Sequence, residues 1–224
     1  MDCVAIIPAR IGSKGIPRKN LRELSGRPLV AWTIDGARSS GVFDAVVVNS
    51  DSSEVLSVAA DFQADVFHRP LSLGQDHVHS YEVVRDQCTR NDYPDDTIVC
   101  MLLPTSPLRS PKTIREAKEL FLQNREYPVI SVYSSGKKEQ HLRVIDNDFL
   151  YPLSGSTAGN VQRDTGRELY FLNGSMYWWT AGWIRKSGSF HVPQARAFVM
   201  SERESVDVDT LEDLQKVESY LNKR

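Results

Sequence analysis

Ile6-Ile7-Pro8-Ala9-Arg10-Ile11-Gly12-Ser13-Lys14-Gly15-Ile16-Pro17-Arg18-Lys19-Asn20 is the stretch of this 224-residue chain that decides its fold. It starts in an apolar run, residues 4–7, short enough to be a buried strand. It ends in a loop with two glycines, a serine and four cations: Arg10, Lys14, Arg18 and Lys19. A strand opening into a glycine-rich basic loop near the N-terminus places an anion site at the edge of an α/β sheet. Gly12 and Gly15 let the backbone turn and come close to an oxyanion. The cations can neutralise several phosphate charges, arginine bidentately. The spacing matches neither G-x-x-x-x-G-K-[ST] nor G-x-G-x-x-G, which disfavours a P-loop ATPase and a dinucleotide-binding dehydrogenase.

Outward from this loop, apolar runs and amphipathic stretches alternate. Strands are expected at residues 45–49, 65–67, 97–103, 129–133, 173–179 and 198–200. Helices are expected from Pro28 for about 12 residues, from the Ser50–Glu54 cluster to residue 62, over 79–91, from Pro111 to 123, around 181–186, and over 210–220. Residues 97–103 are the longest continuous apolar run and the expected central strand. The alternation predicts an α/β fold: a Rossmann-like, doubly wound and mainly parallel sheet. Residues 135–172 break the pattern with weak periodicity and many polar residues. They are too long for an ordinary loop, so they are expected to form a lid, small subdomain or arm inserted between residues 1–134 and 173–224.

The chain holds 27 Lys and Arg against 29 Asp and Glu, a formal charge of −2, so no whole-molecule field draws it to nucleic acid or a membrane surface. The charges are segregated. Residues 10–27 carry six cations and one anion, and residues 202–213 carry six anions and one cation. Cys3, Cys88 and Cys100 lack metal spacing and read as reduced, packed thiols in a reducing, cytoplasmic compartment. No signal peptide or membrane-spanning run is expected.

In such sheets ligands bind at the carboxyl ends of strands. Four loops are candidates: the basic loop, Asn49-Ser50-Asp51, the turn from Thr105 to Arg109, and Val206-Asp207-Val208-Asp209. In an extended Val-Asp-Val-Asp run both carboxylates share one face while the valines face the core. That pair suits Mg²⁺, which takes one or two carboxylates and completes its shell with water and phosphate. Asp209 could instead cap the helix that follows, with Glu212 reaching back. Cations facing a carboxylate pair are what transfer from a nucleoside triphosphate requires. From the residues alone, the function is a nucleotide-dependent transferase with base and acceptor unnamed.

The same stretches resemble a known family. IIPARIGSKGIPRKN, VVVNSD at 46–51, HRPLSLGQD at 68–76, LLPTSPLR at 102–109, LNGSMY at 172–177 and SVDVDTLEDL at 205–214 are similar, in order and spacing, to the acylneuraminate cytidylyltransferases. The resemblance implies a nucleotide-diphospho-sugar transferase type of fold. It implies attack by the anomeric hydroxyl of a nonulosonic acid on the α-phosphate of CTP, giving CMP-sugar and pyrophosphate. It implies that Arg10 and Lys19 hold the triphosphate, with Ala9, Gly12, Ser13, Lys14 and Gly15 shaping the loop, and that Asn20, Arg69 and Ser80 contact the cytidine. Asp207 and Asp209 match magnesium ligands. Arg163 matches a residue reaching the site from a dimerisation arm, which falls on residues 135–172 and implies a homodimer. The sugar side would draw on Thr105, Ser106, Arg109, His141, Arg163 and Asn173. There Thr105 and Ser106 could instead shape the turn, and Arg109 could pair within the scaffold. The chain departs from the family at Leu103, where glutamine is usual, at His141 for a lysine, and at Phe171 for an arginine. The acceptor is expected to be N-acetylneuraminate or, because these changes alter how the sugar is held, a legionaminate- or pseudaminate-like acid. An eight-carbon keto-acid of the Kdo type is the alternative acceptor, and a non-catalytic nucleotide-sugar-binding protein is the alternative class. His77 and His79 read as a helix-start feature, and Trp178, Trp179 and Trp183 as core packing.

Overall fold

The computed structural model describes residues 1–138, 143–146, 149–152, 167–190, 192 and 194–222. The first strand, β1 (Cys3–Pro8), is buried along nearly its whole length and runs straight into the basic loop. A 3₁₀ turn, Lys19–Leu21, and a minimal hairpin, β2 (Glu23–Leu24) with β3 (Arg27–Pro28), lead to α1 (Leu29–Ser40). Gly41, at φ 68°, ends that helix in the left-handed conformation a glycine adopts without penalty. Next come β4 (Ala45–Ser50), α2 (Ser53–Asp61), β5 (Asp65–His68), α3 (Ser80–Arg90), β6 (Ile98–Leu102) and α4 (Pro111–Gln123). Ser52 and Ser110 cap α2 and α4 through their side-chain oxygens. The chain continues through β7 (Val129–Lys138), a hairpin of β8 (Arg143–Asp146) and β9 (Phe149–Pro152), β10 (Glu168–Thr180), α5 (Ala181–Lys186), β11 (Arg196–Val199) and α6 (Leu211–Leu221).

Seven strands form one sheet in the order β11-β7-β10-β6-β1-β4-β5. β6 is its middle strand, as the unbroken apolar run predicts. β1, β4, β5 and β6 are mutually parallel, and β7 pairs in parallel with β11. β10 runs antiparallel to both of its neighbours. The sheet is therefore mixed but mainly parallel.

Both faces are covered, which is why the strands read as continuous apolar runs. Cys3, Ala5 and Ile7 of β1 face a cluster with α1, α2 and α4, where Trp178 stacks on Phe43. Val4 and Ile6 face the other side, against α3 and α5, where Trp179 stacks with Tyr177, Phe190 and Trp183. A third cluster lies outside the sheet. Ile16 of the basic loop, Leu24, Leu29 and Leu108 pack there with Val206, Val208, Leu214 and Val217.

The boundaries expected at 134/135 and 172/173 fall inside β7 and β10. The two strands pair beyond the main sheet, with Glu168 opposite Lys138 and Tyr170 opposite Ser134. Tyr170, Phe171 and Leu172 are exposed there. On the β7 side, Ser134-Ser135-Gly136-Lys137-Lys138 carries no apolar face, so the strand character of that half is faint in sequence. Among the described residues no helix is long and apolar enough to cross a membrane.

Truncating the fully buried Leu29 to alanine is expected to cost about 2–5 kcal/mol, read by urea unfolding. Because Leu29 belongs to the third cluster, amide exchange over residues 206–214 should rise before that of the sheet.

Candidate active site

The carboxyl ends of β1 and β6 open into a cleft of about 240 Å³. The basic loop supplies Arg10, Gly12, Ser13, Lys19 and Asn20 to its wall. The segment after β5 supplies Arg69, Gln75, Val78 and Ser80, and the turn after β6 supplies Leu103, Pro104 and Thr105. Most residues expected at the nucleotide thus line one cavity. Ala9 is fully buried beneath them, its amide donating to the Asn49 carbonyl at 2.9 Å. Asn20 donates to the Arg10 carbonyl at 2.8 Å and so fixes the loop's shape. A wider depression of about 710 Å³ lies between Arg18, Arg22 and α6, away from the strand ends.

The acidic tail reaches this cleft. Val206 and Val208 are buried in the third cluster, so the period-2 alternation turns Asp207 and Asp209 outward together. The Val208 amide donates to the Thr105 carbonyl at 2.8 Å. Lys19 Nζ lies 3.0 Å from the Val208 carbonyl and 2.7 Å from Asp209 Oδ1. A Cβ on Gly15 would overlap the Asp209 carbonyl oxygen, so glycine is what lets the loop close on the tail.

The helix cap does not use the Asp209 side chain. Thr210 caps α6, and Asp213 completes the capping box by accepting from the Thr210 and Asp209 amides. The expected pairing of Asp209 with Glu212 is corrected accordingly, and both carboxylates stay available.

Asp207 is open to solvent on its outer side but sits low among neighbouring segments. Restricted hydration raises its carboxyl above the ordinary value; the Thr105 hydroxyl pulls it back, and Asp209 pushes it up again. Two carboxylates on an accessible face fit a hard divalent cation that shares its shell with phosphate. Among the described residues no group of three or more His, Cys, Asp or Glu could hold a metal; Asp207 and Asp209 form a pair of outward-turned carboxylates.

Arg69 is almost wholly buried in the cleft wall, and burial lowers its pKa. Asp51, 3.6 Å away, and Asn49, at 3.4 Å, hold two of its nitrogens. Its Nε finds no hydrogen-bond partner among the described residues. Asn49 in turn donates to Gln87 of α3 at 2.9 Å.

The sugar-side expectations divide. Thr105 and Leu103 line the cleft. Arg109 does not. It is 4% exposed and spends its donors on the Ser175 carbonyl (2.6 Å), the Ser175 hydroxyl (2.9 Å) and Thr33 (3.3 Å). Asn173 is likewise interior. Its carbonyl accepts from Ser131 at 2.6 Å and the Ser175 amide at 3.1 Å, and its amide nitrogen donates to Ser205 at 2.9 Å. Ser106 is 1% exposed, with no partner for its hydroxyl among the described residues. All three lie in the interior and not on the cleft wall. Arg109 and Asn173 brace the irregular register of β10 between Leu172 and Tyr177, and Ser106 joins the turn after β6 through its backbone, its amide donating to the Leu103 carbonyl at 3.4 Å. Phe171 packs on Tyr133 at 5.5 Å, outside the cleft. His141 and Arg163 lie outside the described residues.

Two positions at the site, Asp76 and Tyr177, escaped the sequence reading, and Asp51 entered it only as part of a candidate loop. Asp51 bridges Arg69 and the Ile11 amide (3.2 Å). Asp76 pairs with Arg10. Tyr177 has its phenol pKa raised by burial and then by the charge of Asp207. Asp51 and Asp76 sit in motifs that carry charge, but only the fold brings them to the loop.

A mainly parallel sheet with its cleft at the switch between β1 and β6, lined by cations of the basic loop and bordered at Lys19 and Thr105 by the Asp207–Asp209 segment, is the arrangement of a nucleotidyltransferase-class α/β protein. A family model described as cytidylyltransferase matches residues 4–182, and the chain belongs to that family. It is 32% identical to the N-acylneuraminate cytidylyltransferase of Streptococcus agalactiae over 99% of its own length and 54% of that relative's. It is 31% identical to the pseudaminic acid cytidylyltransferase of Campylobacter jejuni, covering 96% and 94%. It is 32% identical to the CMP-N,N'-diacetyllegionaminic acid synthase of Legionella pneumophila, covering 99% and 97%. The chain thus spans about half the length of some of its relatives and nearly all of others. In fold it is similar to a CMP:2-keto-3-deoxy-manno-octonic acid synthetase, TM-score 0.74 at 16% identity over 100% of this chain and 99% of that one.

Gly15→Ala should separate loop from tail at a cost of about 1–3 kcal/mol, seen as a lower melting temperature together with weakened divalent-cation binding. Asp207→Asn should slightly stabilise the metal-free protein at neutral pH. The folded carboxyl titrates above its ordinary value, so its cost is fully present above that raised pKa and gone below the unfolded one. The gain should therefore shrink as melts are taken from pH 7 towards pH 4 and reverse when magnesium is added.

Proposed function

We propose that the chain transfers CMP from CTP to the anomeric hydroxyl of a sialic-type nonulosonic acid, releasing pyrophosphate. The observation that carries this reading is the meeting of Lys19 with Asp209 at 2.7 Å, which puts the cationic loop and the carboxylate pair on one cleft. Arg10 and Lys19 hold the β- and γ-phosphates and stabilise the charge that builds on the leaving pyrophosphate. Asn20 keeps the loop in the shape that presents them. Arg69, with an uncommitted Nε, and Ser80 face the cytosine and ribose. Asp207 and Asp209 would hold a Mg²⁺ ion, which when bound supplies neutralisation of phosphate charge and orients the α-phosphate. Thr105 holds Asp207 through its hydroxyl and Val208 through its carbonyl, so the turn after β6 fixes the acids' position.

For the acceptor, Leu103 supports an acid other than plain N-acetylneuraminate. It lines the cleft as an apolar surface beside Gly174, whose Cβ position lies 3.3 Å from Leu103 Cδ1. A legionaminate- or pseudaminate-like acid, with fewer hydroxyls to satisfy, suits such a wall. A homodimer through residues 135–172 belongs to the same reading and is supported by the exposed Tyr170, Phe171 and Leu172 on the β7–β10 ribbon. The three buried, free cysteines are in keeping with a cytoplasmic setting.

The test is pyrophosphate release from CTP against a panel of N-acetylneuraminate, legionaminate-type, pseudaminate-type and Kdo acceptors. Turnover is expected with the di-N-acylated nonulosonic acids first. Asp209→Ala should lower kcat by about 100-fold or more, and Leu103→Gln should move the preference about 10-fold towards N-acetylneuraminate. CTP binding without turnover on any acceptor would favour a non-catalytic nucleotide-binding role, and turnover with Kdo alone would move the acceptor to an eight-carbon acid.

A further inference from the structure

Two carboxylates flank the segment that walls the cleft after β5, and they differ in kind. Asp51 is 7% exposed; it accepts from the Ile11 amide and pairs with Arg69, and its carboxylate fills the space a Cβ on Gly74 would need. Asp76 is 48% exposed. Its Oδ1 accepts from Arg10 Nη1 at 2.5 Å and its Oδ2 lies 3.4 Å from Lys14 Nζ. Arg10 also donates to the Gly74 carbonyl at 3.5 Å. Residues 74–76 thus meet the basic loop at two acids: Gly74 packs against sheltered Asp51, which accepts from the loop's Ile11 amide, and open Asp76 pairs with Arg10 and Lys14.

Asp76 engages cations that the proposed function gives to the triphosphate, and the inference rests on that reading. An exposed ion pair is weak, because water and salt screen it. A polyphosphate brings several negative charges and can bind arginine bidentately. The exchange therefore favours the ligand, while Asp51, sheltered from water, keeps its partners.

We infer that Asp76 is an exchangeable counter-ion: the polyphosphate of the nucleotide displaces it from Arg10 and Lys14, and this displacement unfastens the rim of residues 75–79 while Asp51 holds the base side in place. Asp76 is then a positioning residue. It keeps Arg10 aimed across the cleft until phosphate takes over.

Calorimetry with inorganic tripolyphosphate, in EDTA and at low salt, tests this without metal or base contacts. Asp76→Asn, and Asp76→Ala as a second variant, should bind about 2- to 10-fold more tightly than the parent protein. Arg10→Ala should bind more weakly than either. Amide exchange over residues 75–79 should rise in the parent protein when tripolyphosphate is added, and should already be high in Asp76→Asn without it. If Arg10→Ala weakens binding but the Asp76 variants bind no more tightly than the parent, the displacement is refuted and the loop's phosphate role stands. If the Asp76 variants bind more weakly, Asp76 helps hold the ligand and the inference is likewise overturned. If the parent protein does not bind tripolyphosphate, the phosphate role of the loop fails and the inference with it.

Discussion

The structure depends on holding two oppositely charged segments together although they lie 190 positions apart in the chain. Their mutual attraction would not suffice. Asp209 is two-thirds exposed, and an ion pair with one wet partner contributes little. The holding is apolar. Val206 and Val208 insert among Ile16, Leu24, Leu29 and Leu108, and α6 seals them with Leu214 and Val217. Burial on that scale is worth about 1.5–3 kcal/mol per large aliphatic side chain, which outweighs the charge pair. Lys19 and Asp209 then set the register of a contact that hydrophobic packing has already made, and Gly15 permits the final approach.

The two buried arginines illustrate what such a fold does with charge it cannot leave in water. Arg109 has no carboxylate within reach. Neutral acceptors take its two terminal nitrogens while its Nε has no partner among the described residues, and burial lowers its pKa to about 10, so it remains protonated at neutral pH. Its guanidinium ties the irregular stretch of β10 to α1 through Ser175 and Thr33. Arg69 has Asp51 near it and keeps one donor uncommitted. Both arginines are interior, but Arg69 lines the cleft at the strand ends, whereas Arg109 borders a separate depression between α1 and the start of α4.

Sequence carried the organisation well wherever a period was at work. The apolar run into the basic loop, the central strand at residues 98–102 and the outward face of Asp207 and Asp209 all follow from alternation or its absence. It misplaced Arg109, Ser106 and Asn173. Polar residues just after a strand are ambiguous until one knows whether they point up into the cleft or back under the sheet, and periodicity does not tell a turn from a bulge. It passed over Asp76 and named Asp51 only as part of a loop, because an acid's role as counter-ion is set by cations that come from other segments. The ribbon formed by β7 and β10 was hidden because its residues have no core to face.

The reversed direction of β10 has a geometric outcome. Chain leaving β7 past Val132 is at the same end of the sheet as Leu102, and β10 re-enters there, with Met176 opposite Leu102, before running down to Thr180 opposite Ile98. Had this strand pointed the other way, the returning polypeptide would have had to descend the full height of the sheet before pairing. Reversal spares it that journey. β7 leaves and β10 returns at the end of the sheet where the cleft opens, so the ribbon that pairs Ser134 with Tyr170 and Lys138 with Glu168 stands on that side of the sheet and not on the opposite floor.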